Sequence, residues 1–230
     1  MKPFSIGEII KLSYEAFKQY WGVLLGLFAV VVAVQIGFSI VGEMVPEEAW
    51  VSVVLFTLVS MIVGTIIQLG QLRITLTVAD GGDASLNQLF SETALLWRYI
   101  GATILYSLMV MVGFLLLVIP GIYIALRYSQ YTYLLVDKRL GAIESLKKSS
   151  ELTKGVKWRL LGLGLVMGLL VVVSMIPLLL GLLVTVPMAM VAGAFVYRKL
   201  VVATEGARQE AVTEAAINAA SSAYVPYGQA

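Results

Sequence analysis

The chain has 230 residues, 60% hydrophobic and 13% charged, with a formal net charge of +2 and a mean hydropathy of +0.92. Soluble domains carry about a quarter charged residues, so a water-soluble globule is excluded; disorder, which needs low hydrophobicity and high net charge, is excluded with it. Cysteine and histidine are both absent, which removes disulfides, thiol nucleophiles, the commonest general base and the commonest metal ligand.

From the N-terminus, Ser5 and Glu8 have the spacing of a capping box, with Phe4 and Ile9 placed as a hydrophobic staple. They predict an amphipathic helix whose broad apolar side carries Ile6, Ile10 and Phe17. The uncharged run Gly22–Val41 follows, close to the roughly 20 apolar residues that cross a hydrocarbon core. The long polar leader with Glu8 and Glu15 argues for a retained first helix rather than a cleaved signal peptide. Trp50–Gln71 is the second expected crossing. Ser85 and Gln88 repeat the capping pair ahead of Leu86, Leu89, Phe90 and Leu96, and Tyr99–Ile119 is the third crossing. After Pro120 and Gly121 comes Ile122–Val136, shorter and more polar, as the fourth. A third amphipathic helix, Gly141–Thr153, should end at Gly155, a suitable left-handed terminator. The uncharged run Leu160–Tyr197 is too long for one crossing. Pro177 disfavours helix for its predecessor and splits the run into Trp158–Ile176 and Leu178–Leu200. The expectation is an all-α polytopic membrane domain over residues 1–203, with six transmembrane helices and a polar C-terminal tail over 204–230.

The charges set the sidedness. If the N-terminus is cytoplasmic, all 16 basic residues except Arg127 fall in inside segments or at their helix ends, while the first outside turn carries Glu43, Glu47 and Glu48. Positive residues retained in short cytoplasmic loops orient a membrane protein, so both termini are expected inside. Residues 8–27 also align without a gap on 144–163, pairing Glu8 with Glu144, Lys11 with Lys147, Ser13 with Ser149, Glu15 with Glu151, Lys18 with Lys154 and Leu24–Leu27 with Leu160–Leu163. A weaker third copy starts at Ser85. Each copy reads as a cytoplasmic amphipathic interfacial helix followed by a hairpin whose outer turn holds one proline, Pro46, Pro120 or Pro177. Three hairpin repeats in one orientation are expected; against this, any hairpin with a basic interfacial helix shares much of the pattern. Gly22/Gly26 and Gly164/Gly168 have the small-residue spacing of close helix contacts, and Pro187 should kink the sixth crossing.

Two sets of residues are candidates for function. Lys11, Lys18, Arg98, Lys147, Lys148, Lys154, Lys157 and Arg159 form a basic collar, and near anionic lipid each such charge contributes about 1 kcal/mol. They either touch phospholipid headgroups or merely determine topology. Inside the fourth crossing, Tyr123, Arg127, Gln130 and Tyr131 share one helical stripe. A mid-membrane Arg costs about 2.5–3.5 kcal/mol, so it should face protein or an anion. Arg127 lies about 10 Å from Pro120 at 1.5 Å per residue, within reach of outer headgroups, where a bidentate phosphate is one reading. An inter-helix tie through carbonyls and tyrosines is the other. No nucleotide loop, nucleophile elbow or metal-ligand spacing is present, so no catalytic residue, metal or cofactor is expected, and no nucleic-acid partner.

Three stretches carry a resemblance: Ser5–Glu8 with its helix, Ile119–Ser129 (Ile-Pro-Gly-Ile-Tyr-Ile-Ala-Leu-Arg-Tyr-Ser), and Gly141–Gly155 followed by Trp158 and Arg159. Together they resemble bacterial and archaeal six-helix proteins related to the membrane domain attached to some glycerophosphodiester phosphodiesterases. The resemblance covers most of residues 4–201 and implies a prokaryotic inner-membrane location. It does not bring the phosphodiesterase activity, which belongs to a separate histidine-containing barrel. The expected function is a non-catalytic membrane protein that binds anionic phospholipid and serves as a scaffold for the envelope or for a membrane protein partner, itself included as a homo-oligomer. A small transporter or channel along the polar fourth span is the alternative; the absence of acidic residues from the spans weighs against it.

Overall fold

The computed structural model describes residues 4–46, 49–175 and 181–223. Among these there is helix and no strand: α1 (Ile6–Glu43), α2 (Trp50–Ala79), two 3-10 turns (Leu86–Phe90 and Thr93–Leu95), α3 (Leu96–Leu116), α4 (Val118–Tyr128), α5 (Tyr131–Asp137), α6 (Ala142–Leu152), α7 (Lys157–Val173) and α8 (Leu182–Ala223).

The chain starts as its first residues dictate. Ser5 Oγ accepts from the Glu8 N–H at 3.1 Å and Glu8 Oε2 accepts from the Ser5 N–H at 3.4 Å, closing the capping box, while Phe4 and Ile9 are both buried. α1 then bends at Tyr20, whose φ of −112° and ψ of 23° leave the helical region. The amphipathic segment thus gives way to the apolar one at a kink. A second change of direction, of 97°, separates α6 from α7. It follows Gly155, which adopts the left-handed φ of 80° that its lack of a side chain permits.

The middle segment departs from expectation. Ser85 makes no side-chain cap, and residues 86–95 form two 3-10 turns rather than an amphipathic α-helix. Tertiary docking explains this. Gly70 of α2 faces the backbone of Leu89 so closely that a Cβ there would overlap the Leu89 carbonyl. Leu89, Glu92 and Leu95 are buried. The segment follows the surface of α2 at the expense of its own hydrogen-bond ladder.

The expected fourth crossing is divided in two. α4 starts after Leu117, whose φ of −168° and ψ of 158° are extended, and Pro120 sits in its first turn, where a missing N–H costs nothing. The helix breaks at Ser129 and Gln130 and resumes as α5. α3 and α4 pack as a close hairpin. A Cβ on Gly113 would come within 2.9 Å of Gly121 Cα, and one on Gly121 within 2.5 Å of the Phe114 ring. Of the glycines predicted to mediate close contacts, only Gly26 meets a neighbour among the described residues, Leu86 at 3.0 Å; a Cβ on Gly22, Gly164 or Gly168 meets none of them within 4 Å.

Among the described residues, four helices are long and apolar enough to cross a membrane, namely α1, α2, Leu86–Leu116 and the Leu182–Glu210 part of α8; counting the bent α6–α7 pair as one span makes five. α4 and α5, at 11 and 7 residues, fall short individually because Arg127, Ser129 and Gln130 interrupt the apolar run. The Pro177 turn lies outside the described residues. Pro187 is inside α8.

Two buried clusters hold the bundle together. One joins Ile9, Leu76, Tyr99, Leu135, Leu146 and Tyr197; the other joins Leu24, Leu27, Ile74 and Val191. Elsewhere the helices leave Ile36, Ile40, Leu55, Leu58, Leu108, Met111, Leu165 and Leu169 exposed. Apolar faces of this extent suit a lipid surrounding rather than water.

Candidate functional site

Ion pairs gather the four segments that the charge pattern assigns to one side. Lys199 Nζ donates to Glu8 Oε1 at 2.6 Å. Arg198 lies between Asp80 (2.6 Å) and Asp137 (2.9 Å), and Lys138 meets Glu205 at 3.9 Å. Glu92, buried, faces Arg73 at 3.7 Å and Arg139 at 3.3 Å. The start of α1, the end of α2, the α5–α6 turn and α8 near Leu200 therefore share one basic end. Burial raises the Asp137 carboxyl, but the bond from Arg198, the Tyr197 hydroxyl at 2.6 Å and the charge of Arg198 outweigh it and hold the group below the usual carboxylate range. Glu8 is lowered too, first by the Lys199 bond and then by the Ser5 N–H.

The collar residues divide by surroundings. Lys11 and Lys148 form exposed pairs with Glu15 (3.9 Å) and Glu144 (3.1 Å), each one helical turn away. Such pairs stabilise by only about 0.3–0.5 kcal/mol. Lys18 lies 4.4 Å above the Tyr14 ring. Arg98 Nη1 donates to the Arg139 carbonyl at 3.1 Å, a structural tie. Lys147 and Lys154 are exposed. Arg159 and Lys154 line a cavity of about 730 Å³ between the α6–α7 turn and α8, and Arg159 Nη1 is buried there with no partner among the described residues. Beside three of these groups stand tryptophans, each at the start of an apolar segment and each strongly exposed: Trp21 at 62%, Trp97 at 75% and Trp158 at 83%.

The four residues of the expected stripe part company. Gln130 and Tyr131 are buried and belong to packing. The break between α4 and α5 frees a carbonyl and an N–H, and α6 takes up both. Thr153 Oγ1 donates to the Arg127 carbonyl at 2.7 Å, while Ser149 Oγ accepts from the Gln130 N–H at 3.1 Å. Tyr131 Oη shares a 3.0 Å hydrogen bond with Thr103 of α3, and the Gln130 Oε1 is buried with no partner among the described residues. Leaving a buried carbonyl unpaired costs about 1–3 kcal/mol. Thr153→Val, which keeps the shape and removes the hydroxyl, leaves the part-buried Arg127 carbonyl only the longer 3.4 Å bond from Ser149 Oγ and is expected to destabilise the protein by about 1 kcal/mol, the lower end of that range, in a denaturant titration. Ser150→Ala, half-buried on the same helix and bonded only to the Lys147 carbonyl one turn back, serves as the comparison and should cost less.

Arg127 and Tyr123 remain on the surface side of α4. Lys157 Nζ, from the first residue of α7, donates to Tyr123 Oη at 2.9 Å and lies 4.2 Å from the ring centroid. Arg127 lies 5.5 Å from the Tyr128 ring and lines a cleft of about 390 Å³ with Leu108, Met109, Val112, Ile124 and Tyr128. Sequence spacing places Arg127 near the outer turn, yet its carbonyl is bound by α6 and its neighbour Tyr123 by Lys157. The region thus belongs with the basic helices. Lys157 as a partner of Tyr123 is invisible in the sequence, since 34 positions separate them.

These features define a class: an all-helical protein with several apolar helices long enough to span a membrane and a basic, tryptophan-edged end. A family model described as a protein of unknown function, DUF975, matches residues 99–204, from α3 to just past Leu200, so it includes the broken helix and the α6–α7 bend. No curated protein matches, and no solved structure matches. That family is one of unknown function and its model covers less than half of the chain, and nothing in these comparisons links the chain to the membrane domain of glycerophosphodiester phosphodiesterases.

Proposed function

We propose that this chain is a non-catalytic integral membrane protein of a prokaryotic inner membrane, binding anionic phospholipid headgroups at its basic end and serving as a scaffold for the envelope or a partner protein. In this reading α1, α2, α3, the α4–α5 pair, α7 and α8 make six crossings with both termini cytoplasmic. The observation that carries it is the coincidence of exposed Trp21, Trp97 and Trp158 with the collar lysines and arginines. Tryptophan rings favour the membrane–water interface, and cations beside them meet lipid phosphates. Recurrent burial supports the hairpin repeat: Ser13 and Ser149, Ala16 and Leu152, Leu24 and Leu160, and Leu27 and Leu163 are aligned pairs whose members are all buried. A relation to the phosphodiesterase-linked membrane domains, proposed on the sequence likeness, agrees with a lipid-phosphodiester setting.

A broken helix is a feature of many transporters, and the α4–α5 break is the observation on the side of transport. Ser149 and Thr153 occupy the backbone groups that the break frees, which leaves them unavailable to an ion. Lipid binding is read from thermal stability, because a ligand that binds only the folded state raises its melting temperature. Adding phosphatidylglycerol to detergent-purified protein should raise the melting temperature more than adding phosphatidylcholine. That difference should shrink as salt screens exposed charges. Equal shifts with the two lipids would contradict the proposal.

A further inference from the structure

We infer that the cleft between α3 and α4 holds one anionic glycerophospholipid, its phosphate between Arg127 and Lys157; this site rests on the lipid-binding reading above and adds to the diffuse collar, from which it takes Lys157, a single defined lipid. Tyr123 and Arg127 are one turn apart on α4 and so neighbours on its surface, and Lys157 reaches across from α7 to the Tyr123 hydroxyl at 2.9 Å. Two cations therefore flank one phenol. Arg198, Lys199, Lys148 and Arg139 all meet carboxylates, whereas among the described residues no ion pair ties Arg127 or Lys157. Charge held against apolar surface is costly without a counter-charge, and a phosphate oxygen between the two groups supplies one through charge-assisted hydrogen bonds.

The walls say what the phosphate is attached to. Beside Arg127 the cleft is lined by Leu108, Met109, Val112 and Ile124, and Leu108 and Val112 continue onto the exposed apolar face of α3 with Met111 and Leu115. A free anion gains nothing from these side chains, whereas an acyl chain is in its ordinary surroundings. A zwitterionic headgroup brings its own cation towards Lys157, so the preference is for a lipid with net negative charge. Arg127 is tied through its backbone to α6, itself part of the basic end, which places the lipid in the leaflet on that side.

The test is native mass spectrometry of the full-length protein titrated with phosphatidylglycerol or phosphatidylcholine. The wild type should retain one phosphatidylglycerol more tightly than any further copies. Arg127→Gln and Lys157→Gln should each weaken that first binding by roughly tenfold or more, the effect of losing a hydrogen bond to a charged group. Arg208→Gln, an equal change in charge on the exposed part of α8, should leave it unchanged. Lys157 is partly exposed and on a different helix, so Lys157→Gln decides the matter even if Arg127→Gln perturbs α4. Tight first binding unchanged in both cleft variants would overturn the cleft site and leave the collar reading standing. No preference for phosphatidylglycerol in the wild type would remove both. Displacement of the lipid by an equal concentration of inorganic phosphate would show a free-anion site and overturn the lipid assignment.

Discussion

Gly70→Ala is expected to destabilise the protein by about 3 kcal/mol or more, the upper range for overpacking against atoms that cannot move aside. The added Cβ overlaps the carbonyl, Cα and C of Leu89, so no side-chain rotation relieves it. Either the 86–95 turns lift away from α2 or α2 bends. Lifting exposes Leu89, Leu95 and Glu92, all buried at present. Gly64→Ala, in the same helix, is the comparison: a Cβ there meets nothing within 4 Å, and the intrinsic helix preference favours alanine by roughly 0.8–1.0 kcal/mol. The two substitutions are chemically identical and should shift the unfolding midpoint in opposite directions. Similar midpoints would show that the 86–95 segment does not dock as described.

The second large effect comes from the buried carboxylate of that segment, Glu92. The Glu92 side chain is only 4% exposed, while its partners Arg73 and Arg139 are 43% and 69% exposed. The asymmetry decides which deletion matters. Removing Glu92 releases two arginines that turn to solvent; removing both arginines strands a buried negative charge, a change that typically costs about 3–5 kcal/mol. Arg73→Gln with Arg139→Gln is therefore expected to destabilise by about that much, and Glu92→Gln by well under half of it, measured by denaturant unfolding. Arg139 also holds the α5–α6 turn. Its φ of 51° is left-handed for a residue with a side chain, and its carbonyl is tied by Arg98. If Glu92→Gln proved the more damaging change, the pairs would be acting mainly by attraction rather than by satisfying a buried group.

Local signals were legible and long-range ones were not. The capping box at Ser5 and Glu8, the Phe4–Ile9 staple and the left-handed Gly155 each depend on residues only a few positions apart, and each forms as spacing predicts. The clustering of charges announced a basic end, and ion pairs from Glu8 to Lys199 and from Asp80 to Arg198 bring its segments together. The same capping spacing at Ser85 and Gln88 failed because Gly70, a glycine in no recognisable motif, draws Leu89 onto α2. The Gly22 and Gly164 spacings suggested contacts that only Gly26 makes. In the candidate site, Tyr123 and Arg127 remain together, but Gln130 and Tyr131 are drawn inward by Ser149 and Thr103. A helical wheel assumes an unbroken helix. Hydroxyls 19 to 26 residues away in sequence stabilise the break that invalidates it.

Everything proposed depends on which side of the membrane the basic end faces. The chain contains no cysteine, so single cysteines report unambiguously. Glu43→Cys, at the exposed end of α1, and Lys147→Cys, on the exposed side of α6, are to be treated in intact bacterial cells with a membrane-impermeant maleimide. Labelling of Glu43→Cys at once, and of Lys147→Cys only after permeabilisation, is the predicted result. Immediate labelling of Lys147→Cys would put the collar outside and contradict the account.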